Sequence, residues 1–166
     1  MLTKKREKRM EILDLLVQDA RLSNREIAER LMISEDEVQQ VVEEAIADGD
    51  VLGARLLLHP RTRPDIVRAM IEVKARPERD VGFDHIARKL ARFPEVIDVT
   101  LVSGVYDFIL TVEGENVQEV AEFVSTKLAP IDGIESHATH FVLKRYKEAG
   151  IIMEKEETHE RLNITP

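Results

Sequence analysis

The chain has 166 residues, with 24 Lys or Arg against 32 Asp or Glu and a net charge of -8, so its overall charge gives no pull toward nucleic acid or a membrane surface. That length suits one medium domain or two small ones, and a composition that is 43% hydrophobic and 34% charged is that of a globular protein. The absence of Cys excludes disulfides, thiolate nucleophiles and Cys-based zinc sites, and the absence of Trp with only 4% aromatics argues against a stacking platform for single-stranded nucleic acid.

The start, Met1 to Arg9, is basic but has no apolar signal core behind it, and no run approaches the roughly 20 apolar residues of a membrane span. A cytoplasmic protein without a membrane partner is expected. Lys4 to Gln18 reads as a helix, with Ile12, Leu13, Leu15, Leu16 and Val17 recurring near helical spacing. Ser23 with Glu26 and Ser34 with Glu37 are capping-box pairs that open two further helices. In the second of these, Val38, Val41, Val42, Ala45 and Ile46 are the apolar positions, and Asp48-Gly49 stops it. Val51 to Leu58 reads as a short strand. Three helices and a strand predict a winged helix-turn-helix over residues 1–58.

His59 to Pro64, with two prolines around a basic cluster, marks a linker over 59–65. Beyond it the chain alternates: strand 66–75, helix 83–93, strand 96–102, a Ser103-Gly104-Val105 turn, strand 106–112, helix 116–128 and strand 134–146. The first strand places Val67, Ala69, Ile71 and Val73 on one face, and the second helix buries Val117, Val120, Ala121 and Val124. This β-α-β-β-α-β order predicts a ferredoxin-like domain over 66–147, so the fold class is α+β. The tail, 148–166, reads as a short helix or a frayed end. Two helices cover one face of a four-stranded sheet. Ile71, Val73, Val99, Leu101, Ile109 and Leu110 exceed what one helical layer needs, which predicts dimerisation through the sheet.

The charge pattern of the helix-turn-helix is unusual. A recognition helix aims its N-terminal residues at base edges, and phosphate affinity comes from cations. Yet no Lys or Arg lies between Leu31 and Ala54, while Glu35, Asp36, Glu37, Glu43, Glu44, Asp48 and Asp50 do. Glu35, Asp36 and Glu37 also complement the dipole of a first helical turn. Glu43 and Glu44 read by default as a solvated face. Double-stranded DNA, if bound, would be held by the N-terminal arm (Lys5, Arg6) and the second helix (Arg25, Arg30), with Gln39 and Gln40 reaching bases, since Gln reads adenine. His137 and His140, three apart on a strand, fall on opposite faces, so no shared metal is expected. No paired carboxylates, Ser/His/Asp order or phosphate loop marks a catalytic site, and no cofactor is expected.

The order of parts, together with Ser23 to Arg30, the link Gly49 to Arg55 and the strand-turn-strand Val99 to Asp107 ending in Gly104-Val105-Tyr106-Asp107, resembles the Lrp/AsnC (feast/famine) transcription regulators over roughly residues 8–146. The resemblance implies a DNA-binding regulator whose C-terminal domain dimerises through its sheet, assembles further to tetramers or octamers, and binds an amino acid between subunits. The effector site is expected at Thr100, Val102, Gly104, Tyr106 and Asp107. Backbone N–H groups beside Gly104 suit a carboxylate, and Asp107 either accepts from a ligand ammonium or caps the turn. The third helix departs from the family pattern: Val41 stands at the usual Arg, and Glu43 and Glu44 follow it. An oligomeric ligand-binding protein without DNA binding is therefore the alternative. A sirohaem-decarboxylase-like enzyme, which the layout is also similar to, ranks last, because Asp98 to Val102 carries neither His nor Arg.

Overall fold

The computed structural model describes residues 2–77, 79 and 82–154, with side chains from residue 5 onward among them. Two compact units divide the chain, Met1–Leu57 and Leu58–Pro166.

The first unit is built from α1 (Leu2–Gln18), α2 (Asn24–Leu31) and α3 (Glu35–Ala47). At the start of α2 the capping box is complete: Ser23 Oγ accepts from the Glu26 N–H at 3.2 Å, and the Glu26 carboxylate accepts from the Ser23 N–H at 2.8 Å. At α3 only half of the expected box forms. Ser34 Oγ accepts from the Glu37 N–H, but the Glu37 carboxylate turns to Lys8. Met32 makes the tight turn between α2 and α3 at φ 54°, and the Ile33 N–H closes it on the Ala28 carbonyl. Ile12, Ile27, Ala28, Val38 and Val41 form the core of this unit, with Leu15, Leu16, Leu22, Leu31, Ile33 and Val42 around them. Val17, predicted in the apolar stripe of α1, is exposed instead.

The predicted wing is not formed. Residues 51–59 carry no strand, and Leu52 and Leu56 are exposed. A strand exists only by pairing, and this unit supplies no second extended segment for it. The helix-turn-helix is therefore three-helical among the described residues.

The second unit contains β1 (Val67–Ala75), α4 (Asp84–Leu90), β2 (Val96–Leu101), β3 (Phe108–Gly114), α5 (Val117–Glu122), β4 (Ile134–Phe141) and a short hairpin, β5 (Lys147–Glu148) with β6 (Ile151–Ile152). The main sheet is antiparallel in the order β2-β3-β1-β4, the ferredoxin-like arrangement. Ala69, Ile71, Val73 and Ala75 of β1 join Phe108, Leu110 and Val112 of β3 on one face, against Ile86 and Leu90 of α4 and Val120, Phe123, Val124 and Leu128 from α5 and its continuation. Phe83 on Phe108 and Phe93 on Phe123 meet edge to face, with ring centroids 5.7 and 5.5 Å apart.

Several expectations shift here for local reasons. Beyond α5 the helix widens into a π-helical segment, Phe123–Leu128, where the Ala129 N–H reaches back to the Val124 carbonyl and Ser125 and Thr126 hydroxyls both donate to the Glu122 carbonyl. The buried stripe runs through Val120, Phe123, Val124 and Leu128, and Val117 and Ala121 of α5 are exposed. The start of the tail is the β5–β6 hairpin rather than a helix, held by Glu148 against Arg68 and Arg145. Residues 155–166 lie outside the described residues. The linker-like stretch forms a 3-10 turn, Pro60–Thr62, and His59 Nε2 lies 3.0 Å from the Met153 carbonyl oxygen.

The sheet's second face is not the apolar surface that the count of aliphatics suggested. Ile71, Val73 and Leu110 point into the helix-covered core. Strand alternation puts Arg68, Met70, Glu72 and Lys74 of β1 on the other face, beside Ile109 and Thr111 of β3 and His140 of β4. Glu72 and His140 sit 3.2 Å apart there, and His137 falls on the opposite face, as its spacing predicted.

Gly133 before β4 stands at φ +91°, and a methyl added there would lie 2.9 Å from Cδ1 of the fully buried Ile86. Gly133→Ala should destabilise the second unit by about 1–3 kcal/mol through backbone strain and overpacking, read as a lower denaturant midpoint at unchanged slope.

Candidate nucleic-acid interface and ligand turn

Helix α3 turns Val38, Val41 and Ala45 into the core, so its opposite face is fixed by the 3.6-residue period. Asp36, Gln39, Gln40 and Glu43 lie exposed on that outer face. The Gln39 amide donates to Glu43 at 2.8 Å and the Gln40 amide to Glu44 at 3.0 Å, both one turn on. The two glutamines picked out for base contact are thus held by neighbouring glutamates, which are more than a solvated face.

The flank of α3 between its outer and buried faces carries Glu37 and Glu44, both half-buried, and α1 lays its cations along that flank. Lys5 pairs with Glu44 at 3.1 Å and Lys8 with Glu37 at 2.6 Å. Arg9 forks to Asp48 at 2.8 Å and Asp50 at 2.6 Å just past the helix end. Hydrogen bonding from Lys5, then from Gln40, holds the Glu44 carboxyl below its usual pKa, and the bond to Asp48 raises that of Arg9. The basic arm is therefore the first turns of α1, with three of its cations already engaged. The side chain of Lys4 lies outside the described residues.

The remaining DNA-contact candidates divide clearly. Arg25 pairs with Glu29 at 3.0 Å across one helical turn, with both side chains largely exposed. Arg6 and Arg30 are exposed and make no ion pair within the described residues. Arg21 is tied to Asp19, whose carboxyl is lowered to about 2 by that guanidinium and the Arg21 N–H. Sequence reasoning missed the pairing of α1 with α3 and the residues just past it because the partners lie 29 to 41 positions apart, where no periodicity can reveal them.

The turn between β2 and β3 gathers the effector candidates. Thr100 is exposed on β2 opposite Ile109, while Val102, Tyr106 and Asp107 are half-buried and Gly104 is exposed at the tip. The Val102 N–H donates to the Asp107 carbonyl at 2.8 Å, closing the loop, and the Asp107 N–H donates to the Val73 carbonyl at 3.0 Å. The Asp107 carboxylate accepts from the Ala75 N–H at 2.9 Å and from Lys74 at 3.2 Å. It fastens the turn to the end of β1, and β3 starts at Phe108 rather than Tyr106. The Ala75 N–H, chiefly, holds the Asp107 carboxyl below its ordinary pKa, against the cost of burial and with help from Lys74. The N–H groups of residues 103–106 have no hydrogen-bond partner among the described residues. Gly104 at φ +152° sits in backbone space that favours glycine.

A helix-turn-helix unit followed by an antiparallel ferredoxin-like sheet with an open-tipped turn is the layout of a DNA-binding regulator with a separate regulatory domain. Residues 10–43 match the AsnC-type helix-turn-helix domain and residues 68–152 match the Lrp/AsnC ligand binding domain. The HTH-type transcriptional regulator YugG of Bacillus subtilis is 36% identical over 162 residues, covering 96% of this chain and 98% of its own. PH0140 of Pyrococcus horikoshii, also an HTH-type transcriptional regulator, is 33% identical over 128 residues, covering 77% and 79%. The crystal structure of the Neisseria meningitidis regulator NMB0573 in complex with L-Met superposes with a TM-score of 0.70 at 26% identity, covering 85% of this chain and 91% of that one. The chain belongs to the Lrp/AsnC family of transcription regulators. It is a DNA-binding regulator and not an enzyme, so the decarboxylase reading falls and the reading without DNA binding gives way.

Two predictions follow from this geometry. Arg9→Ala leaves Asp48 and Asp50 unpaired beside Glu44, so the thermal midpoint of the first unit should fall, and the loss should shrink in molar salt, which screens the remaining repulsion. Asp107→Ala removes two bonds to a charged acceptor and orphans the Ala75 N–H, costing the second unit about 1.5–3 kcal/mol. Because the folded carboxyl titrates below the unfolded one, its contribution is present at neutral pH and lost as pH falls through the folded pKa. Asp107→Asn should accordingly lose less stability than the parent between about pH 7 and pH 3, measured by denaturant titration at each pH.

Proposed function

We propose that the first unit docks on double-stranded DNA with Lys5, Arg6, Arg25 and Arg30 on phosphates and Gln39 and Gln40 at base edges. We further propose that the β2–β3 turn of the second unit takes a small amino-acid-like effector. Thr100, Val102, Gly104, Tyr106 and Asp107 surround that site, which lies at an interface between copies of the chain in a cytoplasmic homodimer or larger even assembly.

The observation that carries the effector reading is the run of unpartnered N–H groups at residues 103–106, next to the charged pair of Lys74 and Asp107. Successive free N–H groups and a nearby ammonium suit a carboxylate, and an amino acid carries one. Asp107, occupied by Lys74 and the Ala75 N–H, then shapes the turn, and its second oxygen faces any ligand ammonium only in competition with Lys74. Structural similarity to a regulator solved with L-Met supports the ligand class. Self-association is supported by apolar side chains left in water: Met70 on the open sheet face, Leu143 beyond β4, and Ile151 and Ile152 in the hairpin.

Light scattering at micromolar concentration should give a dimer or a multiple of it. Calorimetry of that assembled sample against the common amino acids should detect at least one ligand, and Gly104→Trp should abolish it while the unfolding transition persists. Silence from every amino acid in an assembled sample would sink the sensor role. On DNA, each neutralised phosphate contributes about -0.9 to the slope of log K against log salt. With Arg6 and Arg30 unpaired and Lys5 and Arg25 exchangeable, the slope should stay shallower than about -4 per protomer.

A further inference from the structure

The chemistry of the outer face of α3 specifies which base edges it can accept. Asp36 and Glu43 present carboxylate oxygens only, and one oxygen of Glu43 already holds the Gln39 amide. Gln40 is held in the same way by Glu44. Each glutamine therefore turns its carbonyl oxygen away from the bond that fixes it, with one N–H left over. No Lys, Arg, Ser or Thr stands on this face, and Lys5 and Lys8 of α1 are spent on the flank at Glu44 and Glu37. The face is almost wholly a hydrogen-bond acceptor.

In the major groove guanine shows two acceptors, O6 and N7. Cytosine shows the N4 amine, and adenine shows the N6 amine beside N7. A carboxylate set against guanine leaves both partners unsatisfied and adds repulsion, whereas cytosine N4 donates to it. A glutamine anchored at its amide accepts from adenine N6 and offers its second N–H to N7, whereas against guanine that N–H finds an acceptor but the carbonyl oxygen beside it meets a second acceptor and is left unpaired. We propose that Asp36, Gln39, Gln40 and Glu43 select operators by the exocyclic amines of cytosine and adenine on the strand facing α3, and that this helix makes no guanine contact. The proposal rests on the DNA-docking reading above and specifies its base chemistry.

The test starts from duplexes selected out of a random pool by the full-length protein. Within the selected site, cytosines are replaced singly by N4-methylcytosine, adenines by N6-methyladenine and guanines by 7-deazaguanine. Methylating an amine under α3 should weaken binding about tenfold or more, and removing guanine N7 should change it less than about twofold. Glu43→Arg supplies the missing donors, so selection with this variant should place a guanine where the parent takes cytosine or adenine. The proposal is overturned if 7-deazaguanine weakens binding as methylated amines were expected to, if the amines can be methylated without loss, or if Glu43→Arg selects the parent's sequence. Binding without any sequence preference overturns it as well, while leaving DNA docking intact. Absence of binding to every duplex, even at low salt, overturns the docking reading and this proposal together.

Discussion

The first unit depends on one electrostatic arrangement, the laying of the cationic start of α1 along the acidic flank of α3. Seven carboxylates fall within residues 35–50 without a single cation between them, and a lone helix so charged would repel itself and its neighbours. Lys5, Lys8 and Arg9 answer Glu44, Glu37, Asp48 and Asp50. The same α1 then drives Ile12 into the core beside Ile27, Val38 and Val41. Charge neutralisation and apolar packing thus set the same register of α1 against α3. Exposed pairs of this kind are individually weak and screened by salt. What they fix is orientation: the unpaired acceptors face outward and the paired ones face α1.

That arrangement changes how DNA affinity has to be understood. A cation held by a carboxylate meets a phosphate only by exchanging one anion for another, so the net gain is small. Arg6 and Arg30 owe no such exchange, whereas Arg25 must leave Glu29 and Lys5 must leave Glu44. On the proposed docking, backbone contacts would contribute modestly and discrimination would fall to base edges, and an assembly of several copies would add up weak contacts.

Much of the fold was legible because it is written in local periods. The capping residues Ser23 and Ser34 opened α2 and α3 where expected, and the two-residue alternation of β1 named its buried side correctly. What the sequence hid is non-local or depends on a partner. The pairs of α1 with α3 and the residues just past it span 29 to 41 residues, so Glu37 read as a capping-box partner when it in fact serves Lys8. After Glu122 the helix widens into a π-helical segment, with Ser125 and Thr126 hydroxyls on one carbonyl, and the buried stripe continues through Phe123 and Leu128, which the sequence pattern did not pick out. Val51 to Leu58 has the composition of a strand but nothing in its own unit to pair with. Of the site, the Gly104 turn was visible as a motif, but Lys74 and the Ala75 N–H, which occupy Asp107, come from another strand.

The turn at residues 102–107 shows why one residue can be both structural and functional. If the Asp107 carboxylate were free, two backbone bonds would still fasten the loop, Val102 N–H to the Asp107 carbonyl and Asp107 N–H to the Val73 carbonyl. By accepting from the end of β1, Asp107 fixes the direction of the chain through the turn. The N–H groups of residues 103–106 then have no hydrogen-bond partner among the described residues. Such groups at a fixed tip bind an anion with less ordering cost than the same groups on a loose loop. A ligand carboxylate drawn there also meets Lys74, whose ammonium is shared with Asp107. On the effector reading proposed above, a ligand at the turn would touch the C-terminal end of β1, the strand whose open face carries Met70 and Glu72. A path from effector to assembly needs no element beyond this strand.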